Sequence, residues 1–186
     1  MNDTDGMTMR DLDQAEVGLL ARLDELGIAW TNERHAPVFT VEQARSLVTG
    51  LGGRGTKNLF LRDRRKRFIL LIADEDTPVD LKALAADWGV GRLSFARPEA
   101  LKDVLGVTPG AVTPFALMNA APGMLRVVID ARLTEQNLLL FHPLRNDATT
   151  AVSPEGLFTF LCACGHEPEV RALGSPGRTA APHVAQ

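Results

Sequence analysis

Cysteine is scarce. The 186 residues contain two, Cys162 and Cys164, with one residue between them. That excludes a disulfide framework and makes a reducing compartment the expectation. Surplus positive charge is also missing: 20 Lys plus Arg stand against 23 Asp plus Glu, a formal net charge of -3. Indiscriminate coating of nucleic acid needs a basic excess, so that class is excluded, which leaves room for a local basic patch. No apolar run approaches the length of a membrane span. The opening MNDTDGMTMRD is acidic and polar and lacks the basic and apolar regions of a signal peptide. A cytoplasmic location with no membrane partner is therefore expected. There is no P-loop, no G-x-G-x-x-G and no G-x-S-x-G, so nucleotide hydrolysis and an elbow-serine hydrolase lack support.

What is present is the balance of a globular domain, 45% hydrophobic and 23% charged. Residues 1–12 read as a loose leader. From Asp13, the residues Val17, Leu19, Leu20, Leu23 and Leu26 recur at helical spacing until Gly27. Ile28 to His35 reads as a strand, and Thr40 with Gln43 is a capping-box pattern for a short helix over 41–48. Gly50, Gly52, Gly53 and Gly55 read as a hinge. KNLFLR (57–62) and RFILLIA (67–73) flank a charged turn, a hairpin signature. Helices are expected over 80–88, from Pro98 to Gly106, and from Pro154 to near Gly165. Strands are expected at 92–96, 126–130, 138–141 and 147–152. One domain over 13–168 with a tail at 169–186 follows. Elements interspersed without strict strand-helix alternation predict a mixed, largely antiparallel α+β fold.

Several residues could carry chemistry. Cys162, Cys164 and His166 form C-x-C-x-H on the last helix, but helical geometry turns residues two apart to different sides. Two cysteines packed as small hydrophobes are the expectation, with no metal site. Arg62, Arg64, Arg65, Lys66 and Arg67 make a basic turn, either a solvated hairpin tip or an RNA contact, with Arg64, Arg65 and Lys66 the candidate RNA-binding residues. Lys57 and Asn58 open an apolar strand directly after glycines, where a lysine can reach a phosphate or carbonyl as a point charge. Gly110-Ala111-Val112-Thr113-Pro114 is a loop able to turn backbone N–H groups toward one point, as an oxyanion site requires. His142, in FHPLRN, suits a proton carrier or an orienting hydrogen-bonder. Taken singly, each has a bland alternative: a surface lysine, a turn, a partly buried histidine.

The segments HAPVFTVEQA (35–44), GTKNLFLRD (55–63), RLSFARPEALKDVLGVTPGAVTPFAL (92–117), VVIDARL (127–133) and FHPLRNDATTAVSPEGLFTFL (141–161) occur in this order. The ordered set resembles the YbaK family of aminoacyl-tRNA editing domains, which includes the insertion domain of bacterial prolyl-tRNA synthetases and its freestanding relatives. The resemblance implies a mixed β-sheet partly curled into a barrel and surrounded by helices. It also implies hydrolysis of the ester joining an amino acid to the terminal adenosine of tRNA, with no cofactor. The family's lysine falls on Lys57, its GxxxP loop on Gly110 through Pro114, and its histidine on His142. Together these imply Lys57, Gly110 and His142 as catalytic residues and Asn58 with 111–114 as substrate contacts. The pattern is most similar to the freestanding deacylase that clears alanine from tRNA(Pro), with the sibling that clears cysteine as the alternative. A noncatalytic tRNA-binding module on the same fold is a further alternative. The implied partners are the acceptor end of mischarged tRNA(Pro) and, transiently, prolyl-tRNA synthetase or an elongation factor. In this family the ribose hydroxyl of the tRNA is thought to help activate the water. Such an enzyme must accept alanine and refuse proline, so the pocket must exclude by size. Phe39, Phe115, Leu117 and Met118 are candidate walls, with ordinary core packing as the alternative reading.

Overall fold

A computed structural model describes residues 8–37 and 50–173. Phe39 and the helix expected over 41–48 lie outside the described residues. Helix α1 (Met9–Glu25) starts on a reciprocal cap: the Thr8 hydroxyl accepts from the Asp11 N–H, and the Asp11 carboxylate accepts from the Thr8 N–H at 3.0 Å. The helix therefore begins inside the stretch expected as a loose leader, because a polar cap leaves no apolar periodicity to read. Helix α2 (Leu81–Asp87) is capped by the Asp80 side chain, and α3 (Pro98–Leu105) ends on Gly106 at φ 65°. Helix α4 (Pro154–Ala163) is capped by Ser153. Short 3-10 turns cover Pro114–Asn119 and Ala131–Glu135.

Among the described residues, eight strands form one mixed sheet: β1 (Trp30–Arg34), β2 (Arg54–Arg62), β3 (Phe68–Asp74), β4 (Ser94–Phe95), β5 (Leu125–Asp130), β6 (Leu139–Phe141), β7 (Ala148–Val152) and β8 (Pro168–Arg171). The order is β1-β7-β6-β2-β3-β5-β8, with β4 also on β2. The pairs β1–β7, β6–β7, β2–β3 and β2–β4 are antiparallel, while β2–β6, β3–β5 and β5–β8 are parallel. The α+β class is as expected. Among the described residues the sheet is not closed into a barrel: β1 and β8 remain its ends. Two boundaries need correction. Residues 169–171, expected in the tail, continue from Pro168 as β8 and pair with β5, the whole strand lying opposite Val127 to Asp130. The hinge reading stops at Gly53, because β2 already runs through Gly55, where a Cβ would meet the Glu75 carboxylate at 2.1 Å.

Alternation along β2, β3 and β5 loads both faces of the sheet. Phe60, Leu70, Ile72, Val127 and Ile129 join a core completed by α1, α3, α4 and the 114–119 turn. Leu61, Ile69, Leu71, Ala73 and Val128 face Leu84, Ala85 and Leu93 on the other side.

One edge of β2 is divided. Its pairing with β6 covers Arg54 and Gly55, and its pairing with β4 covers Leu61 and Arg62. Between them, residues 56–60 have β3 on one edge and no paired strand on the other, among the described residues. The Phe60 carbonyl accepts from the Ala96 N–H at the β4 end, and the Arg54 N–H donates to the Leu138 carbonyl at the β6 end. By alternation, the backbone N–H of Asn58 points into the same gap.

Candidate functional site

Lys57 and Asn58 both lie on this stretch and leave β2 on opposite faces. Lys57 pairs with Ala73 and Asn58 with Ile72, so Lys57 shares the face covered by α2 while Asn58 shares the face of the larger core. The half-buried Lys57 ammonium donates to the carbonyl of Glu75 at 3.1 Å and to that of Thr77. Residues 74–77 are themselves tied down. The Thr77 hydroxyl donates to Asp130 at 2.7 Å, both groups being fully buried, and Arg54 donates to Asp74 through two nitrogens at 2.6 Å each. The Asp74 carboxyl is held below its ordinary pKa mainly by that guanidinium. Lys57 is thus presented in a fixed position, with an ammonium proton beyond the two committed to carbonyls.

Asn58 reaches the GxxxP loop: its amide donates to the Val112 carbonyl at 3.2 Å, while its own carbonyl oxygen is buried with no hydrogen-bond partner among the described residues. A buried acceptor of this kind can receive a donor from a bound ligand. Gly110 is exposed and sits at φ 91°, a left-handed conformation that glycine adopts without strain. Ala111 and Thr113 are buried and Val112 is half-buried. Thr113 caps the following turn by accepting from the Phe115 N–H, and Pro114 is its first residue. Of the candidate walls in the described residues, Phe115 and Leu117 are fully buried in the core. The Phe115 ring packs edge-on to Phe141 and Phe160 at 5.6 and 5.3 Å. Met118 is exposed on the surface. For Phe115 and Leu117 core packing describes what the side chains touch; Val112 is the loop residue whose carbonyl Asn58 contacts.

His142 follows β6. It lies two residues past Leu140, the partner of Gly55, as Lys57 lies two past Gly55, so both leave the parallel β2–β6 pair at the same end. Its Nδ1 is 3.1 Å from the Ala148 carbonyl, which can only accept, so Nδ1 carries the proton and Nε2 keeps a lone pair. Burial lowers its pKa below the usual histidine value, so the ring is neutral at pH 7. The His35 ring lies 6.5 Å away, with Nδ1 on the Ala36 carbonyl and Nε2 on the Thr149 hydroxyl.

The loop carrying His142 is clamped by Arg145, 1% exposed, which bonds Asp147 and Asp13 and reaches Glu16 at 3.3 Å. Glu16 also takes Asn32 at 2.7 Å and Arg34, whose guanidinium lies 3.5 Å from Asp13. Sequence reasoning missed this cluster. Its signal was an arginine inside FHPLRN and two acids on one face of α1, three and four residues from the apolar stripe.

The basic turn lies at the other end of β2. Lys57 to Arg62 is about 17 Å of strand at 3.3 Å per residue. Asp63 is buried and closes the turn by accepting from the Arg67 N–H at 2.9 Å and its Nε at 2.7 Å. Lys66 takes φ 64°. Arg64, Arg65 and Lys66 are exposed and have no carboxylate partner among the described residues. A groove of about 590 Å³ beside this turn is lined by Trp88, Met124, Arg126 and Glu169, among others. Its arginines are already engaged: Arg126 stacks on Trp88 at 4.8 Å and pairs with Glu169 at 2.7 Å. The groove is away from Lys57, Asn58 and His142, and the gap on β2 is the better chemical site.

Cys162 is exposed, and burial raises the pKa of Cys164, which disfavours its thiolate. Among the described residues, no group of three or more His, Cys, Asp or Glu could hold a metal ion, and no helix is long and apolar enough to cross a membrane.

Residues 35–160, which carry Lys57, Asn58, the 110–114 loop and His142, match the aminoacyl-tRNA editing domain. The prolyl-tRNA editing protein ProX of Acetoanaerobium sticklandii is 38% identical, over 84% of this chain and 95% of its own length. The prolyl-tRNA synthetase associated domain-containing protein 1 of Xenopus laevis is 39% identical, over 81% of this chain and 92% of its own. A solved structure described as a candidate trans-editing enzyme for prolyl tRNA synthetase superposes with a TM-score of 0.68 at 18% identity, covering 90% of this chain and 98% of that one. At that identity it speaks for the fold.

Proposed function

This chain belongs to the aminoacyl-tRNA editing domain family, and on that premise we propose that it is a trans-editing deacylase that hydrolyses mischarged tRNA(Pro), with Ala-tRNA(Pro) as its main substrate. The observation that carries the reading is the uncovered stretch of β2. Asn58 lies on that stretch and reaches the 110–114 loop, Lys57 is its neighbour on the other face with its ammonium on the Glu75 and Thr77 carbonyls, and His142 follows β6, the strand that bounds the stretch at one end, among the described residues.

An aminoacyl ester is activated already, so a strong nucleophile is not required. Positioning and charge stabilisation carry the rate. Lys57 holds the terminal nucleotide through a phosphate or ribose oxygen. The aminoacyl group lies against the 110–114 loop, where backbone N–H groups and the Asn58 N–H face the oxygen that becomes the oxyanion. Water, oriented by a ribose hydroxyl, attacks the carbonyl carbon. The ester C–O bond breaks, the ribose oxygen takes a proton, and free alanine and tRNA(Pro) leave. The uncharged, singly protonated His142 accepts a hydrogen bond through Nε2 and positions the water or ribose hydroxyl. A turn of Arg64, Arg65 and Lys66 about 17 Å along the strand suits contact with the acceptor stem rather than with the reacting end. Prolyl-tRNA synthetase or an elongation factor is the proposed source of the charged tRNA.

The test is deacylation of Ala-, Cys-, Ser- and Pro-tRNA(Pro) by the purified protein. Fastest release from Ala-tRNA(Pro) supports the assignment. Faster release of cysteine moves the chain to the sibling specificity, and tight binding without release of any amino acid makes it a noncatalytic tRNA-binding module.

A further inference from the structure

Phe95 is 63% exposed on β4, which is only two residues long and lies at the far end of the gap on β2. It pairs with Leu61, and Leu61 shares a strand face with Leu59 and Lys57. Phe95 therefore stands on the same side of the sheet as Lys57, about 13 Å farther along the strand by the 3.3 Å rise. The side chains around it are cationic. Arg92 and Arg97 flank it in the chain and are exposed, and Arg64 packs beside Gly91, whereas Arg62, paired with Ser94, leaves the sheet on the opposite face. Glu99, on the first turn of α3, is the exposed acid nearest in sequence. Both cores of the fold are complete without the Phe95 ring.

We propose that Phe95, with Arg92 and Arg97, is a stacking platform for the unpaired nucleotides that precede the terminal adenosine of the tRNA. An exposed aromatic ring among arginines is what single-stranded nucleic acid binds: the ring stacks on a base and the guanidinium groups meet the phosphates. The occupant follows from continuity. The platform lies on the same open edge and the same face as Lys57, at a distance that a few nucleotides of single strand bridge. A terminal nucleotide held at Lys57 therefore brings the preceding bases to Phe95. The inference rests on the deacylase reading for the identity of the strand, and its tests separate the two.

The first measurement is binding of a short single-stranded RNA ending in CCA, and of the same RNA with abasic sites in place of the two cytidines. Phe95→Ala, an exposed substitution, is expected to weaken binding of the intact RNA by about 5- to 100-fold, the range for losing one stacked base. Phe95→Trp is expected to keep it. The abasic RNA is expected to bind the wild-type and Phe95→Ala proteins equally. The second measurement is hydrolysis of Ala-tRNA(Pro) against hydrolysis of alanyl-adenosine, which has no preceding nucleotides. Phe95→Ala is expected to raise KM for the tRNA and to leave the small ester unchanged. Equal RNA binding by wild type and Phe95→Ala, an equal loss with the abasic RNA, or no binding by the wild type each overturns the platform. Loss of affinity for prolyl-tRNA synthetase with RNA binding unchanged makes Phe95 a protein contact and overturns it too. If the wild type binds RNA through Phe95 and hydrolyses no aminoacyl-tRNA, the deacylase reading fails and the platform stands.

Discussion

The Lys57 ammonium donates to the carbonyl of Thr77, and the Thr77 hydroxyl in turn donates to the fully buried Asp130 at 2.7 Å. A charged group at the edge of the sheet is thereby referred to a fixed point in its interior. Two substitutions follow from this chain of contacts. Lys57→Ala is expected to lower kcat for Ala-tRNA(Pro) by about 100-fold or more, the scale for losing a charge-stabilising donor. Thr77→Val is expected to lower it less. In the double variant the losses should not add, since Thr77 acts through Lys57. Single-turnover deacylation, with circular dichroism to verify folding, reads both. Additive losses would separate Thr77 from the lysine.

Phe115 and Val112 are expected to behave differently when trimmed. Phe115 is packed between Phe141 and Phe160, so Phe115→Ala should cost about 3–5 kcal/mol of stability, measured by urea unfolding. The ratio of Pro-tRNA(Pro) to Ala-tRNA(Pro) hydrolysis should stay unchanged. Val112 is half-buried in the loop that Asn58 contacts, so Val112→Ala should raise that ratio by about 10-fold if the loop excludes the proline ring. An unmoved ratio places the wall elsewhere.

Replacing Arg64, Arg65 and Lys66 together with Ala is expected to weaken tRNA binding at low salt and to flatten the dependence of affinity on salt, because fewer counterions are released. The kcat of the bound substrate should change little, since the turn is at the opposite end of β2 from Lys57. Titrations at several salt concentrations decide this, and identical slopes would make the turn a solvated tip.

Burial lowers the pKa of both His142 and His166 below the ordinary value of 6.5. In the unfolded chain these rings take up protons near pH 6.5; in the folded protein they do so only at lower pH. Between those values the unfolded state holds more protons, so stability is full above about pH 6.5 and falls as pH falls. The urea midpoint should therefore drop between about pH 7 and pH 5, before the carboxylates titrate. His166→Gln should reduce the slope of that drop, whatever it does to the midpoint at pH 7. A slope unchanged by the substitution would assign the loss to other groups.

Much of the framework could be read from periodicity. The hairpin of β2 and β3 announced itself through apolar runs around charged residues, and α3 and α4 through their proline starts. What escaped was polar or distant. Thr8 and Asp11 form the cap of α1 within a stretch that has no apolar repeat. PEVR at 168–171 has a proline and two charges, and becomes a strand because β5 offers it an edge. The site was legible as residue types, and its arrangement was legible only in part. A period of two already implies that Lys57 and Asn58 diverge, whereas the gap between β6 and β4 depends on a parallel pairing that local sequence does not encode. The Arg145 clamp joins residues separated by 132 positions, and its members look like ordinary surface charges until the chain is folded.

β1 has β7 as its partner, with Trp30 opposite Val152. On a ribosome, α1 and β1 emerge early and must wait for residues 148–152 before their hydrogen bonds and the carboxylates of Asp13 and Glu16 find their places. The β2–β3 hairpin has only local requirements and forms first. Assembly therefore runs from the centre of the sheet outward, and the N-terminal segment docks last. Nascent chains arrested before β7 should retain a protease-sensitive N-terminus.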